Sequence, residues 1–317
     1  VVDVVPSVVS ASIVNLKLRS PSSCEKKTLS KYLNSDDEIL WLGSKDADLR
    51  DVTVTKDLFE FYKPSTVIHL AAKVGGILSN VKHQYDYYID NVRINTNVID
   101  ECVRMKSNII AISSSCVYPA KASKYPLTEN QVHESMPEPT NISYAYTKRM
   151  MDIQLKAAEE NYGIDSVILY LGNLYGIDDH YNDTESHLVP ALIYKFHNAK
   201  INNEETVELY GDGTPLRQFT LSDDVAKVIS KFATNYISGS YNVSCPENLS
   251  VKQIAEIVKD AVGYKGSIKF NGQHNGVHRK DVNCSKLLKQ YDVKFTPLKE
   301  GVNFVYDKVK DSLLCGS

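Results

Sequence analysis

Short runs of almost uninterrupted apolar residues alternate along this chain with longer stretches in which apolar positions return every three or four residues. The runs at 38–42 (EILWL), 66–70 (TVIHL), 108–112 (NIIAI) and 166–171 (SVILYL) are dense in Ile, Val and Leu. They predict strands buried on both faces, as in a parallel sheet. The stretches at 52–62, 87–105 and 145–162 carry helical spacing, and Gly163 stands where a helix C-cap favours glycine. Strand and helix in alternation predict a doubly wound α/β fold.

Beyond residue 172 the texture changes. Gly, Asn, Asp and Pro punctuate segments such as NLYGIDDHYNDTESH and YGDGTPLRQF, between helices expected at 188–199, 223–234 and 251–262. A smaller C-terminal α/β substrate domain is expected, folded over the carboxyl ends of the strands, where such sheets bind ligands. The boundaries place a cofactor domain at 1–174 with a returning segment near 217–244. The substrate domain takes 175–216 and 245–317.

Composition narrows the function classes. The 317 residues hold 36 Lys and Arg against 39 Asp and Glu, with no long block of either sign, which argues against nucleic-acid or membrane-surface binding. Mean hydropathy is −0.27, and no apolar run approaches the length of a membrane helix. The valine-rich start lacks a basic leader and is not read as a signal peptide. Six scattered cysteines, with no CxxC, favour reduced thiols in the cytoplasm over a disulfide or zinc framework.

The sharpest chemical signal is Tyr144-Ala-Tyr-Thr-Lys148. On a helix, i and i+4 share a face, and an ammonium beside a phenol lowers the phenol's pKa toward neutrality. With 20 tyrosines in the chain, such a pair also arises by chance, as a tyrosine packed on a lysine stem. Ser113-Ser-Ser-Cys-Val-Tyr-Pro119, following the third strand, adds hydroxyls able to hold a carbonyl; the bland alternative is a turn that caps its own backbone.

Together with HLAAKVGGI at 69–77, GNLYG, SHLVPALIYKFH and YGDGTPLRQF, in this order, these segments resemble the extended short-chain dehydrogenase/reductase family. The closest likeness is to its bifunctional epimerase/reductases of GDP-4-keto-6-deoxy-D-mannose, whose product is GDP-L-fucose. The resemblance implies a Rossmann-type fold, NADP(H) as cofactor, a GDP-sugar substrate and a homodimer built by the YxxxK helix and its neighbour. It implies that Cys116 and His187 are the base and acid that invert C3 and C5. Tyr144, with Lys148 and Ser114, would protonate the C4 oxygen during reduction. Lys45, Asp48, Leu49, Ala71, Ala72, Lys73, Tyr144, Lys148 and His187 would line the coenzyme. Asn173, Lys195, Tyr210, Arg217 and Arg279 would hold the nucleotide sugar. No metal is implied, and His274 and His278 are read as loop residues.

One departure stands out. The family opens with a strand and a GxxGxxG loop that admits the cofactor pyrophosphate, whereas residues 1–42 hold no glycine. Residues 26–33 look like the rest of that helix, and the abrupt boundary is read as a frameshift or assembly artefact. The alternatives are a 4-epimerase or 4,6-dehydratase, and a cofactor-poor pseudoenzyme that binds nucleotide sugar.

Overall fold

The computed structural model describes residues 29, 31–33, 39–75, 77–182, 186–273 and 278–313. The glycine-free opening, the helix expected at 26–33 (but for Leu29 and residues 31–33) and His274 lie outside them.

The predicted alternation folds as helix α1 (Val52–Tyr62), strand β1 (Thr66–His69), helices α2 (Ile77–Lys82) and α3 (Gln84–Met105), strand β2 (Asn108–Ser114), helix α4 (Ile142–Tyr162) and strand β3 (Ser166–Leu171). It continues through β4 (Asn173–Tyr175), α5 (Leu188–Ile201), β5 (Thr206–Leu209), β6 (Leu216–Leu221), α6 (Ser222–Thr234), β7 (Gly239–Val243), β8 (Asn248–Ser250), α7 (Val251–Val262), β9 (Ser267–Phe270), α8 (Ser285–Gln290) and α9 (Leu298–Leu313).

The chain divides into two compact units. The first holds the described residues through Ser123, with Glu129–Leu171 and Ala226–Asn242. Its sheet has the order β1-β2-β3-β7, and β1–β2 and β2–β3 pair in parallel. Ile109, Ile110 and Ala111 of β2 are wholly buried, as a strand covered on both faces requires; each large aliphatic side chain so placed is worth about 1.5–3 kcal/mol. Residues 39–42 are a correction: Leu40, Trp41 and Leu42 are buried, yet they form no strand among the described residues. Burial explains their apolarity; no sheet pairing is needed for it.

Local chemistry ends the elements where the sequence suggests. Asp51 caps α1 by accepting from the amides of Thr53 and Val54, and Gly163 closes α4 at φ 66°. Helix α3 packs along α4. The polar side chains on its buried face hold the loop after β1: Asn91 accepts from the Lys73 amide and donates to the Lys73 carbonyl.

The second unit holds Lys124–Thr128, Gly172–Val225 and the described residues from Val243 onward. It carries the small sheets β4-β6-β8 and β5-β9. Tyr175, Ile193, Phe196, Phe219, Val258 and Val302 belong to its core. The segment Ala226–Asn242 belongs to the first unit, and β6 pairs with β4 and β8 in the second. No helix among the described residues is long and apolar enough to cross a membrane.

Candidate active site

In the first unit, Ser114, Cys116, Tyr144 and Lys148 gather where β2 ends and α4 begins. Ser114 closes β2 and accepts from the Cys116 amide at 3.3 Å, which is the backbone-capping role open to a serine run. An accepting hydroxyl keeps its own hydrogen to offer a carbonyl. Cys116 is buried in the short 3₁₀ turn Ser115–Val117.

Lys148 is 2% exposed, and its Nζ donates to the Ile112 carbonyl at 2.7 Å while standing 5.9 Å from the Tyr144 ring centroid. Burial drives Lys148 down to about 8, so it remains mostly charged near neutrality. The expected acidification of the phenol is not met. Burial pushes Tyr144 well above its ordinary value, and a charge on Cys116 pushes it the same way. The same cysteine charge favours the cations of Lys148 and Arg149. These groups therefore form one electrostatically coupled cluster.

The expected coenzyme residues other than His187 sit on the same unit. Ala71 and Ala72 are buried just beyond β1. The Lys73 ammonium binds Asp90 at 2.8 Å, and Arg50 reaches the same carboxylate at 3.4 Å. Arg50 also grips Asp48 through both carboxylate oxygens, which holds Asp48 below the usual carboxylate range. Leu49 points into the core at 2% exposure, and its carbonyl accepts from Asn97; any coenzyme contact there falls to the backbone amide. Lys45 is exposed on a turn. His69, at the end of β1, is buried against Asn95 at 3.0 Å, and burial drives it down to about 4. It is a neutral imidazole, not an acid.

The remaining expected residues lie on the second unit. His187 precedes α5 without capping it, and its side chain is 76% exposed. Asp179 stands 3.8 Å away, an ion contact rather than a hydrogen bond, and raises the imidazole's pKa. Lys195 places its ammonium 5.7 Å from the ring centroid of Tyr210, which is 67% exposed. Asn173 donates to the Gln218 carbonyl. Arg217 and Arg279 lie on neighbouring segments, since the Leu216 amide bonds the His278 carbonyl. Arg279 is not the free cation the sequence suggests: Asp281 holds it with two hydrogen bonds, and it rests on Tyr125.

Sequence reasoning missed Arg149, Asp179 and the Arg50–Asp90 bridge. Arg149 follows Lys148 directly, and Asp179 sits in the GIDDH segment, so the letters were visible. Their contacts are tertiary or loop-built and leave no periodic trace.

The chain is similar to known proteins. The model of the NAD dependent epimerase/dehydratase family matches residues 13–244. The chain is 34% identical over 286 residues to the GDP-L-fucose synthase of Dictyostelium discoideum, covering 87% of this chain and 89% of that protein. It is 31% identical over 265 residues to the GDP-L-fucose synthase of Escherichia coli (strain K12), covering 80% and 82%. The crystal structure of a GDP-L-fucose synthetase from Naegleria fowleri bound to NADP superposes with a TM-score of 0.82 at 30% identity, covering 96% of this chain and 97% of that one. The chain belongs to the NAD dependent epimerase/dehydratase family, in the branch that contains the GDP-L-fucose synthases.

Proposed function

We propose that this chain is an NADPH-dependent epimerase/reductase that converts GDP-4-keto-6-deoxy-D-mannose to GDP-L-fucose by C3/C5 epimerisation and C4 reduction. The observation that carries the reading is the convergence of Ser114, Cys116, Tyr144 and Lys148 at the carboxyl edge of a parallel strand. A simple 4-epimerase has no use for a thiol there.

The described residues of the first unit fit the cofactor. The small side chains of Ala71 and Ala72 follow the carboxyl end of β1. Ser113 Oγ is buried at the end of β2 without a hydrogen-bond partner. Exposed Lys45 suits a phosphate, whereas Lys73 is held by Asp90. When bound, NADPH would supply the hydride that reduces C4. Tyr144, kept protonated by burial and by the cysteine's charge, gives its proton to the C4 oxygen. Lys148 balances the phenolate left behind, and Ser114 orients the carbonyl. Before that, the C4 ketone acidifies the protons at C3 and C5; Cys116 takes the base role and His187 the acid role. Asp179 favours the charged imidazole that the acid role needs.

In this reading the first unit holds the cofactor, and the second holds the GDP-sugar through Asn173, Lys195, Tyr210, Arg217 and Arg279. Lysine and tyrosine side by side suit a diphosphate and a base. A homodimer through α3 and α4 is supported by an open groove of about 630 Å³ between their outer faces. Tyr88, Tyr146 and Ile153 line it and are 42%, 39% and 58% exposed. The buried cysteines 102, 116, 245 and 284 suit a reducing cytoplasm.

The test mixes the protein with NADPH and the 4-keto sugar and identifies the product. GDP-L-fucose with matching NADPH loss is expected, and Tyr144→Phe should abolish that loss. Sugar-nucleotide binding without NADPH oxidation would overturn the reading in favour of a pseudoenzyme. Cys116→Ser should slow solvent exchange at C3 and C5 more than it weakens NADPH binding.

A further inference from the structure

We propose that Arg149 is a positioning residue for Cys116: its guanidinium fixes the turn that carries the thiol and stands as the cation opposite the thiolate. The inference rests on the reading of Cys116 as the ring base.

Arg149 follows Lys148 on α4; it is only 5% exposed and also lines the open groove beside Tyr146. Its Nε donates to the Val117 carbonyl at 2.8 Å, and its Nη2 donates to the Ser135 carbonyl at 2.7 Å. Val117 adjoins Cys116 in the same 3₁₀ turn. One planar fork therefore ties that turn both to α4 and to the 135 loop. The Tyr146 ring covers the guanidinium at 5.5 Å.

Carbonyls satisfy hydrogen bonds but do not neutralise charge. Among the described residues Arg149 has no carboxylate within ion-pair distance. A buried charge without a counter-ion costs several kcal/mol, and a guanidinium cannot escape by losing its proton. Burial presses Arg149 below its ordinary value, while charge on Tyr146 and, after it, on Cys116 acts in the opposite direction. A thiolate at Cys116 supplies the missing anion.

Two of the other buried cysteines lie beside carboxylates. Cys102 lies beside Glu101, and Cys245 lies near Glu247 and Asp224; burial and these carboxylates push both thiols up. Cys116 interacts electrostatically with Tyr144, Lys148 and Arg149 of α4, and its amide donates to the Ser114 hydroxyl. The cations divide the work. Lys148 is anchored on Ile112 beside the phenol, whereas Arg149 is anchored on the turn that bears the sulfur.

The test is a thiolate titration, read as the ultraviolet difference between the full-length protein and its Cys116→Ser variant, repeated in an Arg149→Met background. Losing the cation should raise the Cys116 midpoint by about one pH unit. Deuterium entry at C3 and C5 near neutrality should then fall roughly tenfold, in step with the thiolate fraction. A merely structural arginine would leave the midpoint unmoved, and an unchanged midpoint in folded Arg149→Met overturns the proposal. Should that variant not fold, the unsubstituted protein decides: a midpoint at or below the ordinary thiol value of about 8.5 supports the pairing, and a higher one overturns it. A low midpoint with no deuterium entry would refute the base role of Cys116 while leaving the Arg149–Cys116 pairing supported.

Discussion

Lys148 and His187 are moved in opposite directions by their surroundings, and each shift has a pH signature. For Lys148 burial dominates and lowers the value from 10.5 to about 8. Between those values the unfolded chain binds a proton that the folded chain has released, so stability rises with pH across that window. Lys148→Met removes this slope. The unfolding free energy of the unsubstituted protein, read from denaturant melts, should therefore climb relative to that variant between about pH 8 and 10, by at most about 1.4 kcal/mol per unit. For His187 the Asp179 carboxylate raises the value, which extends the charged, acid-competent form toward higher pH. Asp179→Asn should move the alkaline fall of C3/C5 exchange to lower pH, measured as deuterium entry across a pH series. An unmoved limb would separate Asp179 from the acid.

At the scale of elements, β2 and α4 do most of the positioning. β2 delivers Ser114 and the Cys116 turn, and α4 returns Tyr144, Lys148 and Arg149 to the same place. Helical spacing in the letters foretold α4, and the Tyr–Lys pair was legible on it. The field around the phenol was not, because desolvation depends on which atoms surround the ring. Packing also decides the role of glycine in α9. Gly301 lies against the buried ring and hydroxyl of Tyr175. Gly301→Ala would gain about 1 kcal/mol of helix propensity, but overpacking against a ring that cannot withdraw costs about 1–3 kcal/mol. Net destabilisation is expected in a denaturant melt; a gain in stability would show that the core yields there.

For the whole molecule, the exposed apolar face of α3 and α4 is the feature that asks for a partner. Ile153 is 58% exposed beside Tyr146 and Met150 in the groove, a poor arrangement for a lone chain in water. Ile153→Lys adds no strain inside the monomer and places like charges across a two-fold contact. It should convert a dimer to monomer in sedimentation velocity; a sedimentation coefficient unchanged from the unsubstituted protein would remove this face as the interface.

Apolar runs and helical periodicity were enough, by themselves, to determine the α/β alternation, most element boundaries and the Tyr144–Lys148 pair, because strand burial and i, i+4 spacing are local properties written in residue order. Tertiary structure alone decided that Leu40, Trp41 and Leu42 are buried while forming no strand among the described residues. It also assigned β6 to the second unit, tied Arg279 to Asp281 and gave Arg149 its place under the cysteine turn. Each of these depends on which distant groups meet and how much water they exclude, and no spacing along the chain encodes that.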